Sequence, residues 1–275
     1  MQLPKYAIFF KSKNNLSAYY TIEVNMREIA LAAKARNKEI IDFLHANIQA
    51  KIDFCKTIIT RYNDNNFNYL LFACEDKYIE PCEIILREVI IDYIESVYKL
   101  NYLKQKIKNP LSNSLAFNAY IKVLALFDKS TDESALSKIL LFNQTFFVDS
   151  FLEFRLNPLK RHWNNLAELS SDNLMMFNSG TFIDIIRFLI NTMDNLVYKV
   201  KVICDGERFS IYNMKSKNEK IKKIAECKNS MELITNVLNS CPSYIDVYIN
   251  GNNNYEAVSF LSNVFTNRLK IFMKN

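Results

Sequence analysis

At 275 residues, 49% of them hydrophobic, the chain is long enough to bury a substantial core and too apolar to be disordered. Its net charge of +6, from 35 basic against 29 acidic residues, is too mild to mark a dedicated polyanion binder, so charge alone nominates no partner. There are three glycines (Gly180, Gly206 and Gly251), none in a glycine-rich loop, which argues against P-loop and Rossmann phosphate cradles.

Residues 5–10 (KYAIFF) and 19–24 (YYTIEV) are β-branched and aromatic runs that predict a strand or small hairpin. From 26 to about 62, apolar residues recur three and four apart (Ile29, Ala33, Ile40, Ile41, Leu44, Ile48, Ile52), which predicts a helix. YLLFACE at 69–75 predicts a buried strand, and residues 1–80 together form a small α/β unit. Residues 81–196 are expected to be helical. Pro81 suits a first turn and Asn109-Pro110 a stop, while 114–127 and 131–142 are short amphipathic segments, the second with Thr131 and Ser134 available as caps. Pro158 should kink or divide the segment 146–169. In 182–196, Phe182, Ile185, Ile186, Leu189, Ile190 and Met193 form one helical stripe, closed by Asp194-Asn195.

From 197 onward the period changes to two. VYKVKVIC and ERFSIYN flank Asp205-Gly206, a type I′ turn signal that sets Val202 opposite Phe209, Val200 opposite Ile211 and Lys201 opposite Ser210. A basic connection (214–228) leads to a helix with Asn229 and Glu232 in capping-box positions, then strand 244–250, a helix, and a final strand in RLKIFMK. The expectation is an α+β protein in three regions: 1–80, a helical 81–196, and a ββαβαβ layer with a mixed sheet at 197–275. The last two regions can pack as one domain.

FLEFRL (151–156), FIDIIRFLI (182–190) and VKVICDGERFSIYN (200–213), followed by SCPSYIDVYIN and LSNVFTNRLKIF, resemble in order and spacing the sporulation protein YtxC family of spore-forming Firmicutes. The resemblance spans about residues 80–275. NPLKRHW departs from it, placing a proline where the family continues a smooth helix. The resemblance implies a cytoplasmic, sporulation-associated protein of undetermined activity and supplies no catalytic residues.

No targeting segment or membrane-length apolar run is visible, and the six cysteines show no C-x-x-C pair, so a reduced cytoplasmic protein without metal or cofactor is expected. Hydrolytic candidates are generic: Cys82 with His45, or Asp149 with Glu153 at i and i+4; no enzyme activity is expected. The function read here is a protein acting through a protein partner. The alternative is a nucleic-acid-binding regulator using the basic segments 155–162 and 215–223. Between them these readings nominate Arg155, Lys160, Arg161, His162, Trp163, Lys220, Lys222 and Lys223 as an interaction surface. Against nucleic acid stands the lack of aromatic interleaving within either basic run.

Overall fold

Residues 26–62, expected as one helix, divide into β1 (Met26–Lys34), α1 (Lys38–Gln49) and β2 (Thr57–Asn63). These come from a computed structural model that describes residues 26–52, 57–107, 114–142, 144–171, 179–193, 197–206, 208–214, 221–250 and 255–274. The expected strands at 5–10 and 19–24, the stops at 109–110 and 194–195, and Lys220 lie outside those residues. β3 (Phe67–Glu75) follows β2 through a turn in which the Asp64 carboxylate accepts from the backbone N–H of Asn66 and of Phe67, each at 2.7 Å. α2 (Ile79–Tyr93) then runs through a π-helical turn, Ile94–Tyr98, into α3 (Lys99–Lys106). α4 (Leu115–Phe127) is capped by Ser114, whose hydroxyl accepts from Phe117 N–H. Next come α5 (Lys129–Ile139), β4 (Thr145–Phe147), the short α6 (Val148–Ser150) and a second π-helical turn, Phe151–Arg155.

Thr131 and Ser134 lie inside α5, not at its start. α7 (Asn157–Ser171) begins one residue before Pro158, so the proline divides the segment as its missing N–H requires. α8 is Ser179–Thr192.

The chain groups into two compact units that cut across the sequential expectation of 1–80, 81–196 and 197–275: Met1–Ile94 with Ser134–Pro158, and Glu95–Glu133 with Leu159–Asn275. The first unit holds a four-stranded sheet of order β2-β3-β1-β4, with β1 antiparallel to β3 and parallel to β4. β1 is central, and Leu31, Ala32 and Ala33 are fully buried. Long-range pairing on both edges overrides the helix propensity of its alanines and leucine.

The second unit carries β5 (Val197–Asp205), β6 (Arg208–Asn213), β7 (Lys222–Cys227), α9 (Ser230–Ser240), β8 (Pro242–Asn250), α10 (Glu256–Phe265) and β9 (Leu269–Lys274). Its mixed sheet has the order β7-β6-β5-β8-β9, with β5, β8 and β9 parallel and β6 and β7 antiparallel. β7 replaces the later part of the connection expected at 214–228; its burial is low because it is an edge strand, and its lysines suit an edge. The Asn229 cap is present, with Oδ1 accepting from Glu232 N–H, while the reciprocal bond of the box is shifted by one residue: the Glu232 carboxylate accepts from Lys228 N–H at 2.8 Å.

The hairpin is two residues out of the expected register. Val202 faces Ile211, Val200 faces Asn213, Lys201 faces Tyr212 and Cys204 faces Phe209. Asp205 is itself paired, with Arg208, and Gly206 opens the loop at φ 59°. A slip of two preserves which residues share a face. The observed register also matches Cys204 with Phe209, where the expected one would set it against Glu207. Only glycine takes that φ without cost. No atom lies within 4 Å of a Cβ placed on Gly206, so Gly206→Ala should cost only backbone strain, about 1 kcal/mol, read as a fall in Tm of about 2–4 °C.

Candidate functional site

Two features of the second unit gather chemistry. The first is a buried charge cluster at the π-helical turn. A π turn inserts an extra residue into a helix and widens its inward face; Tyr93, Ile94 and Glu95 are buried in succession. Lys99 and Asp132 are both 0% exposed, with Lys99 Nζ 2.7 Å from Asp132 Oδ2 and 3.4 Å from Glu95 Oε2. The Trp163 indole N–H donates to the same Asp132 oxygen at 2.8 Å, and Tyr98 and Tyr102 flank the indole. Glu95 Oε1 and Asp132 Oδ1 are buried with no hydrogen-bond partner among the described residues. Burial, opposed by the Lys99 charge and reinforced by Asp132, pushes the Glu95 carboxyl up to about 7. Trp163 is therefore a core residue satisfying Asp132, not an exposed anchor for a partner, and the interaction surface nominated from sequence loses it.

The second feature is the C-terminal sheet. α9 and α10 pack on the face that carries Val200, Val202, Cys204, Phe209, Ile211, Ile245, Val247 and Ile249, all buried. Alternation sends the intervening residues to the opposite face, which none of the described helices of this unit packs against substantially. Strand register orders that face in rows. One row runs Lys223, Tyr212, Lys201, Asp246, Lys270 across all five strands; the next runs Glu226, Ser210, Ile203, Tyr248, Phe272. Lys199 and Tyr244 sit side by side one step before the first row. Asp246 is neutralised by Lys199 Nζ at 2.6 Å, and Lys223 pairs with Glu226 at 3.4 Å. Lys201 Nζ lies 4.3 Å from the centre of the Tyr248 ring, which stacks on Phe272 at 4.8 Å. Tyr244 is 47% and Phe272 40% exposed.

The nominated basic residues scatter. Arg155 belongs to the first unit and Lys160, Arg161 and His162 to the second. His162 Nε2 lies 3.0 Å from Asp128, and Lys160 Nζ sits over the Tyr98 ring. Lys222 and Lys223 are on edge strand β7, and Lys223 alone joins the rows above. Lys199, Lys201 and Lys270 carry no signal in a linear scan for charge runs; only the strand register collects them.

The hydrolytic candidates are engaged elsewhere. Asp149 accepts from Lys34 N–H at 2.6 Å and from the Asn37 amide, and Glu153 pairs with Lys34 Nζ at 3.1 Å, so both carboxylates anchor the end of β1. Cys82 is buried with Sγ 3.6 Å from Thr57 Oγ1, while the ionisation of His45 is governed by burial and by Arg61 and Asp42. The Cys204 thiol is pushed up to about 12 by burial. Among the described residues no three metal-ligating side chains cluster, and no helix is long and apolar enough to cross a membrane.

A two-sheet α+β protein whose C-terminal unit stacks helices on one side of a mixed sheet is thus defined. The chain belongs to the YtxC-like family, whose model matches residues 82–270. No curated protein and no solved structure gives a significant match. The signatures that carried the resemblance have structural roles here. Leu156 N–H bonds Phe151 C=O five residues back, which makes FLEFRL a π turn. Arg187, oriented by Asp184 at 2.9 Å, donates to Asn263 C=O at 2.7 Å, one of the carbonyls left open at the end of α10.

Proposed function

We propose that this protein is a sporulation-associated, non-enzymatic binding protein of the cytoplasm that works through macromolecular contacts made on the uncovered face of its C-terminal sheet. The observation that carries the reading is that face: aromatic and lysine side chains are presented in register on a rigid five-stranded support, with two helices holding the other side. Sites built on strands keep their geometry better than sites on loops. Support for the absence of chemistry comes from the hydrolytic candidates: Asp149 and Glu153 hold the end of β1, and Cys82 is buried beside Thr57. The five described cysteines are all buried and not in disulfides, which suits a reducing compartment.

The reading is tested in a spore-forming host. Replacing the native gene with Lys201→Glu/Lys270→Glu/Phe272→Ser should lower spore yield to the level of a deletion. Phe188→Ser, at an exposed position on α8, should leave yield unchanged. A deletion that sporulates normally removes the sporulation role, and full complementation by the triple variant removes the face.

A further inference from the structure

We infer that the uncovered face of the C-terminal sheet binds single-stranded nucleic acid, with phosphates on Lys201 and Lys270 and bases on Tyr244 and Phe272. The inference rests on the reading of this face as the working surface and names the chemistry of its partner.

In the sequence no basic run is interleaved with aromatic residues, which stands against nucleic acid. Folding supplies the interleaving from separate strands. Along β8 the residues facing outward are Tyr244, Asp246 and Tyr248, so two rings stand on either side of a position flanked in register by Lys201 and Lys270. Successive rows are about 7 Å apart, being two residues along a strand. Aromatic rings on a cationic support are what sequence-tolerant single-strand binding uses: bases stack on the rings while lysines follow the backbone.

Charge points the same way. The rows described above, with Lys199, hold four lysines (Lys199, Lys201, Lys223, Lys270) against two carboxylates, Asp246 and Glu226. Those carboxylates are each held by a lysine, Lys199 and Lys223, which leaves Lys201 and Lys270 to meet an anion. A protein partner fits this composition less well, because lysine is depleted from the centres of protein interfaces. A duplex fits less well too: its bases are closed to stacking, and a flat sheet face offers no helix or ribbon to enter a groove.

The test is fluorescence polarisation of the full chain with labelled oligo-dT of about sixteen nucleotides, near the upper end of a single-domain site, against a blunt duplex of the same length at several salt concentrations. Saturable binding that prefers the single strand and weakens steeply with salt is expected. Lys201→Ala and Lys270→Ala should each weaken it and flatten the log–log salt slope by about 0.7 per lost phosphate contact. Phe272→Ala should weaken it about 5- to 150-fold through lost stacking, while Phe188→Ser, at an exposed position on α8, should bind as the native protein does. Circular dichroism confirms that each variant is folded; the lysine substitutions decide the matter if Phe272→Ala is not. No saturable binding at low salt, or equal binding by every folded variant, overturns the inference. If oligonucleotide binding fails while spore yield still depends on the face, nucleic acid falls and the working surface stands. If neither depends on it, both fall.

Discussion

Lys99→Met should destabilise the protein by roughly 3–5 kcal/mol, the usual loss when one partner is removed from a buried ion pair. The ammonium is fully enclosed and is the only cation within reach of Asp132 and Glu95 among their described contacts, at 2.7 and 3.4 Å. Methionine fills a similar volume, so the loss reads the stranded Asp132 carboxylate, joined by Glu95 wherever that group is ionised, and not a cavity. It should therefore shrink on acidification, because protonating those groups removes the uncompensated charge. Adding Asp132→Asn and Glu95→Gln to Lys99→Met should recover part of the loss by the same route. Urea unfolding at neutral and mildly acidic pH measures all three effects. A Lys99→Met protein within about 1 kcal/mol of the parent, against the 3–5 expected, would show that water reaches the cluster and that the charges are not coupled.

None of this cluster is visible in the sequence, and the reasons are physical. Glu95 and Lys99 are neighbours as any i,i+4 pair on a helix is, but Asp132 comes from α5 and Trp163 from α7, and nothing local to the sequence says that these four side chains meet in the core. A charged residue in an amphipathic pattern reads as solvated unless its phase is known. The α9 helix, by contrast, was legible because its cap is local: Asn229 and Glu232 sit three apart and bond as that spacing requires. The hairpin was legible to the level of faces and no further. Alternation determines which side Val200, Val202 and Cys204 share, while the pairing depended on whether Gly206 opened or closed the loop. β1 was misread as helix because its alanines and leucine have helix propensity, and the pairing that overrides it is with β3 and β4, as far as residues 67–75 and 145–147. The lysine and aromatic rows are the same case. Lys201, Asp246 and Lys270 are neighbours only in register, so a scan of linear charge runs picks out the lysines of the 214–228 connection and passes over these.

Glu95→Gln should remove a pH dependence of stability and leave the protein more stable than its parent in mild alkali. The folded carboxyl holds its proton up to about pH 7, because burial outweighs the attraction of Lys99, whereas its ordinary value is 4.5. Between those two values the native state binds more protons than the unfolded chain, so stability falls as pH rises. The contribution is fully present below about 4.5 and is lost as pH rises through about 7. The interval corresponds to about 3 kcal/mol at about 1.36 kcal/mol per unit. Glutamine keeps the shape of the protonated acid and cannot ionise. At pH 4 the variant should match the parent, and at pH 8 it should exceed it by up to that amount. Every other titrating group is common to both proteins, so the difference between their urea midpoints at the two pH values isolates Glu95. Parallel pH profiles would mean that the Glu95 carboxylate is ionised throughout, with Lys99 carrying two negative partners. A profile that converges at acid pH and diverges above neutrality means that the folded cluster holds one lysine, one carboxylate and one carboxylic acid, neutral in sum, and that its burial costs far less than three charges would.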